Sequence, residues 1–220
     1  MSRVSKLAAV ISGVIMLSVS AVVFATPTGL NNIPTADVVP QNVLVLQGFS
    51  RFGAERKPSW FAGVKYGPAQ NLEVGIDDTV GGLGASAGLV FQAKYRLPLA
   101  EATAVALGAA NLSGDTDRNG ETFPYLAASH HFSTFNGHLG YSWQRNNRAW
   151  FVGGDKAVGP RLTLRADWIQ ANDGRDSIAS LGFISPVSPR WLVESWASFP
   201  TAAGAERDYI VKLDYVVPLD

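Results

Sequence analysis

Residues 89–96 read Leu-Val-Phe-Gln-Ala-Lys-Tyr-Arg, and this stretch sets the pattern of the chain. Leu89, Phe91, Ala93 and Tyr95 alternate with Val90, Gln92, Lys94 and Arg96, a period of two that is typical of a β-strand with unlike faces. The same alternation recurs at 72–77, 161–168 and 209–215. A soluble sheet would turn the apolar face inward, whereas an outer-membrane barrel turns it to lipid and encloses the charged face.

A secretory signal precedes the alternating region. Arg3 and Lys6 form a positive start, and Leu7 to Ala25 carries no charged side chain and ends in the small-residue pattern Val23-Phe24-Ala25. We expect a signal peptide at 1–25, an extended lead-in or plug segment at 26–41 and a barrel at 42–220. The alternative for 1–25 is an uncleaved inner-membrane anchor, because the apolar run is long for a signal peptide.

Composition narrows the class of protein. The chain has no Cys, so an exported protein of this kind must be stabilised by burial or by lipid rather than by disulfides. Its formal net charge is zero and no basic patch stands out, which argues against a nucleic-acid partner. After residue 25 no apolar stretch is long enough for a transmembrane helix. We expect outer-membrane lipid and the barrel-assembly machinery as partners, and no cofactor.

Turn signals divide the alternating region into hairpins. Five turns rich in Pro, Gly or Asn recur about every thirty residues, as expected for two membrane-crossing strands and their connections. They lie at 66–72, 95–101, 132–138, 157–162 and 184–191. More polar or Gly-rich connections, assigned to the outside of the cell, lie at 53–58, 81–86, 113–121, 146–148, 172–176 and 201–206. The pattern predicts an antiparallel transmembrane β-barrel of about twelve strands, or ten if weak pairs are misread. Both termini would then be periplasmic.

Aromatic side chains fall near the predicted strand ends. One group flanks the Pro turns and consists of Tyr66, Tyr95, Phe132, Trp191 and Tyr215, and the other lies near the opposite loops and consists of Trp60, Trp143, Trp150, Trp168 and Phe199. Two such groups are typical of the interfacial girdles of membrane barrels. The alternative is that they form the core of a soluble β-sandwich.

The lead-in segment carries Pro27, Pro34 and Pro40, which argue against a helix or a paired strand. It would lie inside the barrel or along its periplasmic mouth. If it fills the lumen, deleting Thr26 to Gln41 should raise conductance.

Charged residues on the predicted inner faces are the main candidates for function. They are Lys65, Glu73, Asp77, Lys94, Arg96, Arg165, Asp167, Glu194, Lys212 and Asp214. Enclosed charges must be paired or solvated. Mixed signs favour a structural ladder of ion pairs, and the alternative is a polar channel lining that sets solute preference.

Two weaker candidates for chemistry remain. His131 and Ser133 would share a strand face, and this pair resembles the catalytic pair of the outer-membrane lipid A deacylases, although no orienting acid is evident on the neighbouring strand. Asp115, Asp117 and Asn119 have the spacing of the first half of a calcium-binding loop. A solvated hairpin loop explains the same residues, since Leu126 stands where the bidentate Glu is needed. We expect neither catalysis nor a metal site.

The stretch from Pro27 to Pro40, with its Thr-Gly-Leu and Pro-Thr-Ala elements, resembles the opening of the YjbH-like outer-membrane proteins that are linked to exopolysaccharide production. The resemblance implies a role in polysaccharide secretion or envelope assembly and no catalytic residues. We therefore expect a small pore, a polysaccharide-export-related component or a structural envelope protein, with a polysaccharide or small polar solute as a partner. The alternatives are an outer-membrane lipid-modifying hydrolase and a soluble periplasmic β-barrel that binds a small ligand.

Overall fold

A computed structural model describes residues 28–53, 57–82, 88–145, 147–171 and 176–219. The signal peptide predicted at 1–25 lies outside the described residues, as do parts of four predicted outer loops, at 54–56, 83–87, 146 and 172–175.

The described residues form twelve strands and one short helix. The strands are β1 (Val43–Phe52), β2 (Ser59–Ala69), β3 (Leu72–Gly81), β4 (Val90–Ala100), β5 (Thr103–Leu112), β6 (Phe123–His131), β7 (Asn136–Trp143), β8 (Arg148–Gly159), β9 (Leu162–Ala171), β10 (Asp176–Pro186), β11 (Trp191–Pro200) and β12 (Asp208–Pro218). The helix α1 (Thr116–Asn119) lies in the loop between β5 and β6. Among the described residues no helix has the length and apolarity needed to cross a membrane.

Each strand pairs antiparallel with its sequence neighbours, and β1 pairs with β12 to close the barrel. The closing register runs from Val43 opposite Pro218 to Phe52 opposite Tyr209. Closure removes the free strand edges that would otherwise carry unpaired N–H and C=O groups, which lipid cannot satisfy. The prediction of a twelve-stranded antiparallel barrel is confirmed, and the alternative of ten strands is wrong.

The two ends of the barrel differ. We call the end that carries Val43 and Pro218 the terminal end, and the opposite end the loop end. The five Pro, Gly or Asn turns all lie at the terminal end, but several residues predicted to form them belong to strands, as Pro68 does in β2. Pro98 lies within β4, and Asn136 and Gly137 begin β7. The turn before β7 is instead closed by Phe132, whose N–H donates to the carbonyl of Phe135 at 2.9 Å.

The outer face of the barrel is apolar and the inner face is charged. Leu181 in the middle of β10 is 60% exposed, and Trp60 and Trp150 near the loop end are each 56% exposed. In contrast, Glu73 on β3 and Lys94 on the neighbouring strand β4 are each 1% exposed. This inside-out distribution is that of a transmembrane barrel and contradicts the soluble-barrel alternative, which would expose its charges and bury its aromatic residues.

Exposed aromatic side chains lie near both ends of the outer face. Trp191 contacts Tyr215 at the terminal end, with ring centroids 4.6 Å apart. Tyr141 contacts Trp150 towards the loop end, with ring centroids 4.8 Å apart. These pairs occupy the positions of interfacial girdles, where amphipathic rings meet both lipid and water.

The lumen contains apolar clusters as well as charges. Phe61, Val90 and Ala110 form one cluster towards the loop end, with Phe49 and Phe123 against it. A second cluster joins two residues that precede the barrel, Leu30 and Ile33, to the wall residues Tyr125, Ala127 and Phe151. Residues from before β1 therefore lie inside the barrel and pack against its wall.

Candidate functional site

The segment that precedes the barrel folds into a turn within the lumen. We call residues 28–41 the inner segment. The N–H of Leu30 donates to the carbonyl of Ile33 at 3.0 Å, and the N–H of Thr35 donates to the carbonyl of Thr28 at 3.3 Å. Gly29 and Pro34 form an isolated antiparallel bridge. The prolines prevent a continuous ladder of hydrogen bonds, so several N–H groups of the segment need partners elsewhere.

Two carboxylates of the barrel wall accept several of these N–H groups. Oδ2 of Asp167 on β9 accepts from the backbone N of Asn31 and of Asn32, both at 2.9 Å. Glu73 on β3 accepts from the backbone N of Thr28 and of Val39, both at 2.9 Å, and from the Thr28 hydroxyl. Hydrogen bonds to an ionised acceptor are about twice as strong as neutral ones. The inner segment is therefore attached to opposite parts of the wall by its backbone.

Polar side chains extend this attachment. The amide of Asn31 donates to Ser180 on β10 at 2.9 Å, and the amide of Asn32 donates to Ser198 on β11 at 2.9 Å. The indole N–H of Trp196 donates to Oδ1 of Asn32 at 3.1 Å. Lys94 Nζ donates to the carbonyl of Thr28 at 2.7 Å. Short side chains on the wall thus leave room for the segment and still provide its partners.

Two wall glycines permit its close approach. A Cβ at Gly67 on β2 would lie 2.1 Å from the carbonyl oxygen of Pro40, and one at Gly153 on β8 would lie 2.6 Å from Leu30 Cδ1. Such distances are far shorter than van der Waals contact. The wall is shaped to the inner segment at both its tip and its exit.

The ten charged residues predicted to line the lumen all lie at inward positions of their strands, and most are buried. Glu194 lies between two cations, 2.5 Å from Arg165 Nη1 and 2.9 Å from Lys212 Nζ. Lys212 Nζ is also 3.5 Å from Asp214, and Lys94 Nζ is 3.8 Å from Glu73. Part of the interior charge is therefore arranged in ion pairs, and part of it, at Glu73, Lys94 and Asp167, binds the inner segment.

A cavity of about 300 Å³ remains between the inner segment and the wall. Strands β1, β2 and β9 to β12 contribute to its wall, and Thr28 to Asn31 and Val38 to Pro40 cover it. Five charged side chains line it: Lys65, Arg165, Glu194, Lys212 and Asp214. This cavity lies on the side of the lumen that β1, β2 and β9 to β12 form.

The histidine and serine residues of β6 and β7 have a different arrangement from the predicted one. Strand β6 ends at His131, so Ser133 lies in the exposed turn that follows and does not share a strand face with His131. The prediction that the two lie on one strand is wrong, because the chain reverses at Phe132. The His131 ring instead lies 2.8 Å from Asn136 Oδ1 and 3.5 Å from Asp37 of the inner segment.

A serine, a histidine and an aspartate do meet inside the barrel. Ser129 Oγ is 2.7 Å from His138 Nδ1, and His138 Nε2 is 3.0 Å from Asp155 Oδ1. The Ser129 hydroxyl also accepts from the backbone N of Ala36 at 2.8 Å, so the inner segment covers it. This arrangement holds the inner segment against β6.

The loop between β5 and β6 is held by protein contacts. Oδ1 of Asn119 accepts from the backbone N of Gly88 at 2.8 Å, and its Nδ2 donates to Ser113 Oγ at 2.6 Å. Asn119 therefore fastens α1 to a neighbouring loop. The described residues contain no group of three His, Cys, Asp or Glu that could hold a metal ion.

Several wall residues that contact the inner segment were not among the predicted site residues. They are Ser129, Ser180 and Ser198, and His138 and Asp155 form hydrogen bonds behind Ser129. In the sequence, small polar residues at inward positions indicate a polar lumen, but they do not identify the groups that these residues bind.

The fold is that of porins. The chain superposes on a KdgM porin with a TM-score of 0.62 at 11% identity, covering 78% of this chain and 98% of that one. It matches a NanC porin with a TM-score of 0.61 at 13% identity and the same coverage. An outer membrane channel from Pseudomonas putida F1 gives a TM-score of 0.55 at 10% identity, covering 85% of this chain and 100% of that one. No protein-family model and no curated protein sequence matches the chain. The chain is therefore a transmembrane β-barrel of porin-like fold.

Proposed function

We propose that this protein is an outer-membrane channel for small polar solutes, closed by its own inner segment. The observation that carries the proposal is the attachment of residues 28–41 to a charged lumen through hydrogen bonds and packing, with Glu73 and Asp167 as the main acceptors. A polar lumen can replace part of the hydration shell of a solute, which is how porins favour polar molecules. The likeness to porins of low sequence identity supports a channel without naming a solute.

The inner segment acts as the closing element. Once it leaves, its wall partners Glu73, Lys94 and Asp167 face an aqueous lumen and can be solvated. Because all its contacts with the wall are noncovalent, the closed and open states can interchange. The ion pairs around Glu194 do not involve the segment and remain to hold β9, β11 and β12 together.

Deletion of Thr26 to Gln41, with the signal peptide retained, tests this function. In planar bilayers the barrel that lacks residues 26–41 should conduct continuously, whereas the full-length protein should conduct rarely or at a lower level. Heat-modifiable migration on a gel shows that each barrel is folded. Unchanged or lower conductance in a folded, deleted barrel would contradict the proposal.

A saccharide is the solute class that we favour. The resemblance of 27–40 to the YjbH-like lead-in implies a link to exopolysaccharide, and this stretch lies in the lumen from residue 28 onward. One KdgM porin structure with a TM-score of 0.60 to this chain was obtained with a disordered oligogalacturonate. Swelling of liposomes that contain the deleted barrel, measured with neutral and acidic saccharides of increasing length, tests the class. Swelling that depends on size alone would contradict a saccharide preference.

A further inference from the structure

The outer face of the barrel carries a groove with a volume of about 270 Å³. Gly154 on β8 and Ala166 on β9 line it and lie directly opposite each other in the sheet. Larger side chains border them, since Leu181 pairs with Ala166 on β10 and Leu164 lies nearer the terminal end of β9. We call this feature the outer groove. It is a depression in a face that otherwise carries protruding apolar side chains.

An aromatic side chain borders the outer groove on the side of β7. Phe135 lines the groove and is 45% exposed, and its ring stacks on that of Phe132 with centroids 4.5 Å apart. No side chain covers Gly154, because a Cβ there would meet only the carbonyl oxygen of Asn136 within 4 Å. The groove is smaller than the roughly 300–1,000 Å³ of sites that enclose a ligand, so it suits one hydrocarbon chain that lies along the wall.

Among the described residues that line the groove, Lys156 is the one that presents a charge to the membrane. Asp155 and Arg165 also line the groove, but their charged groups lie in the lumen, where they contact His138 and Glu194. Lys156 follows Asp155 on β8, so its side chain points outward, and it is exposed. A lysine on the lipid-facing side can extend its ammonium to the headgroup region. An anionic headgroup would compensate its charge there.

The position of the groove indicates which leaflet supplies the lipid. Lys156 lies near Gly159, where β8 reaches the terminal end. The connections at this end are short, as at 70–71, whereas those at the loop end include the longer connection at 113–122. Short turns are typical of the periplasmic side of outer-membrane barrels. A phospholipid of the periplasmic leaflet therefore has its headgroup at the height of Lys156 and its acyl chains at the height of Leu181, in the middle of β10.

We propose that the outer groove is a binding site for an anionic phospholipid of the periplasmic leaflet. Lys156 pairs with the headgroup, and one acyl chain lies over Gly154 and Ala166, between Phe135 and Leu181. The apolar lining binds the chain through close packing, and the ammonium selects the charge of the headgroup. The site lies outside the lumen, so the inference does not depend on the proposed channel.

Native mass spectrometry of the full-length barrel in detergent tests the site. The probes are dioleoylphosphatidylglycerol and dioleoylphosphatidylcholine, which have the same acyl chains and differ in that the first carries a net negative charge. We expect phosphatidylglycerol to bind about fivefold more tightly, because one lysine beside an anionic lipid favours binding by about that factor. Equal affinities of the parent protein for the two lipids would overturn the proposal.

The variant Lys156→Met removes the ammonium and should bind the two lipids equally. The matched control is Arg161→Met, because Arg161 is an exposed cation in the turn between β8 and β9 that does not line the groove. This control should keep the preference for phosphatidylglycerol. Heat-modifiable migration shows that each variant is folded, and Lys156→Gln replaces the methionine variant if that one does not fold. An equal loss of preference in the two variants would mean that the charge of the hairpin attracts lipid without a site.

The variant Ala166→Leu tests the acyl-chain part of the groove. The added carbons occupy the depression, so we expect weaker binding of both lipids with their affinity ratio kept. The control is Ala179→Leu, because Ala179 is also exposed on the outer face but does not line the groove. It should bind both lipids as the parent does. Unchanged lipid binding by Ala166→Leu would contradict the groove as the site.

Discussion

At the scale of single residues, two buried charges of the barrel wall bind backbone groups of the inner segment as well as each other. Glu73 is 3.8 Å from Lys94 Nζ, but its shorter contacts are with the backbone N of Thr28 and of Val39. Lys94 in turn donates to the carbonyl of Thr28. The pair therefore binds both ends of the inner segment, and its charges are compensated by peptide groups as well as by each other.

The variant Glu73→Gln should release the inner segment. A neutral amide has one oxygen where the carboxylate has two, and bonds to a charged acceptor contribute about 1.5–3 kcal/mol each, so we expect the open fraction to rise about tenfold or more. Single-channel recording measures it as open probability. The control variant is Glu101→Gln, in the exposed turn before β5, which should behave as the parent does. If both variants leave the open probability unchanged, Glu73 does not hold the segment in place.

At the scale of elements, the fit between the inner segment and the wall depends on glycine positions in the wall as much as on contacts. The wall presents Gly67 where the chain leaves the lumen, and a Cβ there would meet two backbone oxygens, those of Pro40 at 2.1 Å and of Val39 at 2.6 Å. Both are main-chain atoms of the segment, so no side-chain rotation could relieve the clash. The segment as a whole would have to move.

The variant Gly67→Ala should therefore displace the exit of the inner segment while β2 stays paired. We expect higher conductance and faster proteolysis of the segment at its N-terminal side. The matched control is Gly159→Ala at the terminal end of β8, where a Cβ would meet nothing within 4 Å. Limited proteolysis followed by mass spectrometry measures the rate at which the inner segment is cleaved. Equal cleavage rates in the two variants would show that the segment tolerates the added methyl group.

At the scale of the whole molecule, stability comes from closure and from the match between the apolar outer face and lipid. Each strand has two hydrogen-bonded neighbours, so no edge remains open. The outer face carries Leu181 at the middle of β10 and Leu99 near the terminal end of β4, 60% and 66% exposed. The two side chains are similarly exposed but lie at different depths in the membrane. The free-energy cost of placing a charge at each position depends on that depth.

The variants Leu181→Arg and Leu99→Arg test the membrane position of the barrel. An arginine at the bilayer midplane costs about 2–4 kcal/mol, whereas one near an interface costs about 0–1 kcal/mol. Leu181→Arg should therefore lower the free energy of unfolding in lipid vesicles by the larger amount, measured by denaturant titration with tryptophan fluorescence. Equal losses of unfolding free energy in the two variants would show that residues 99 and 181 do not differ in membrane depth in this way.

The sequence by itself predicted a barrel of about twelve strands and the strand faces that carry the charged residues. These features depend on a period of two between adjacent residues and on turn residues, and both are local. Only the tertiary structure decided where the inner segment lies and which residues hold it. Asn31 and Asp167 are 136 positions apart, and Gln47 and Asp214, which flank the cavity, are 167 apart. Such contacts depend on barrel closure and strand register, because these bring distant residues to one height of the lumen. The turn at Phe132 separates Ser133 from His131, and the register of the neighbouring strands β6, β7 and β8 gives His138 the partners Ser129 and Asp155.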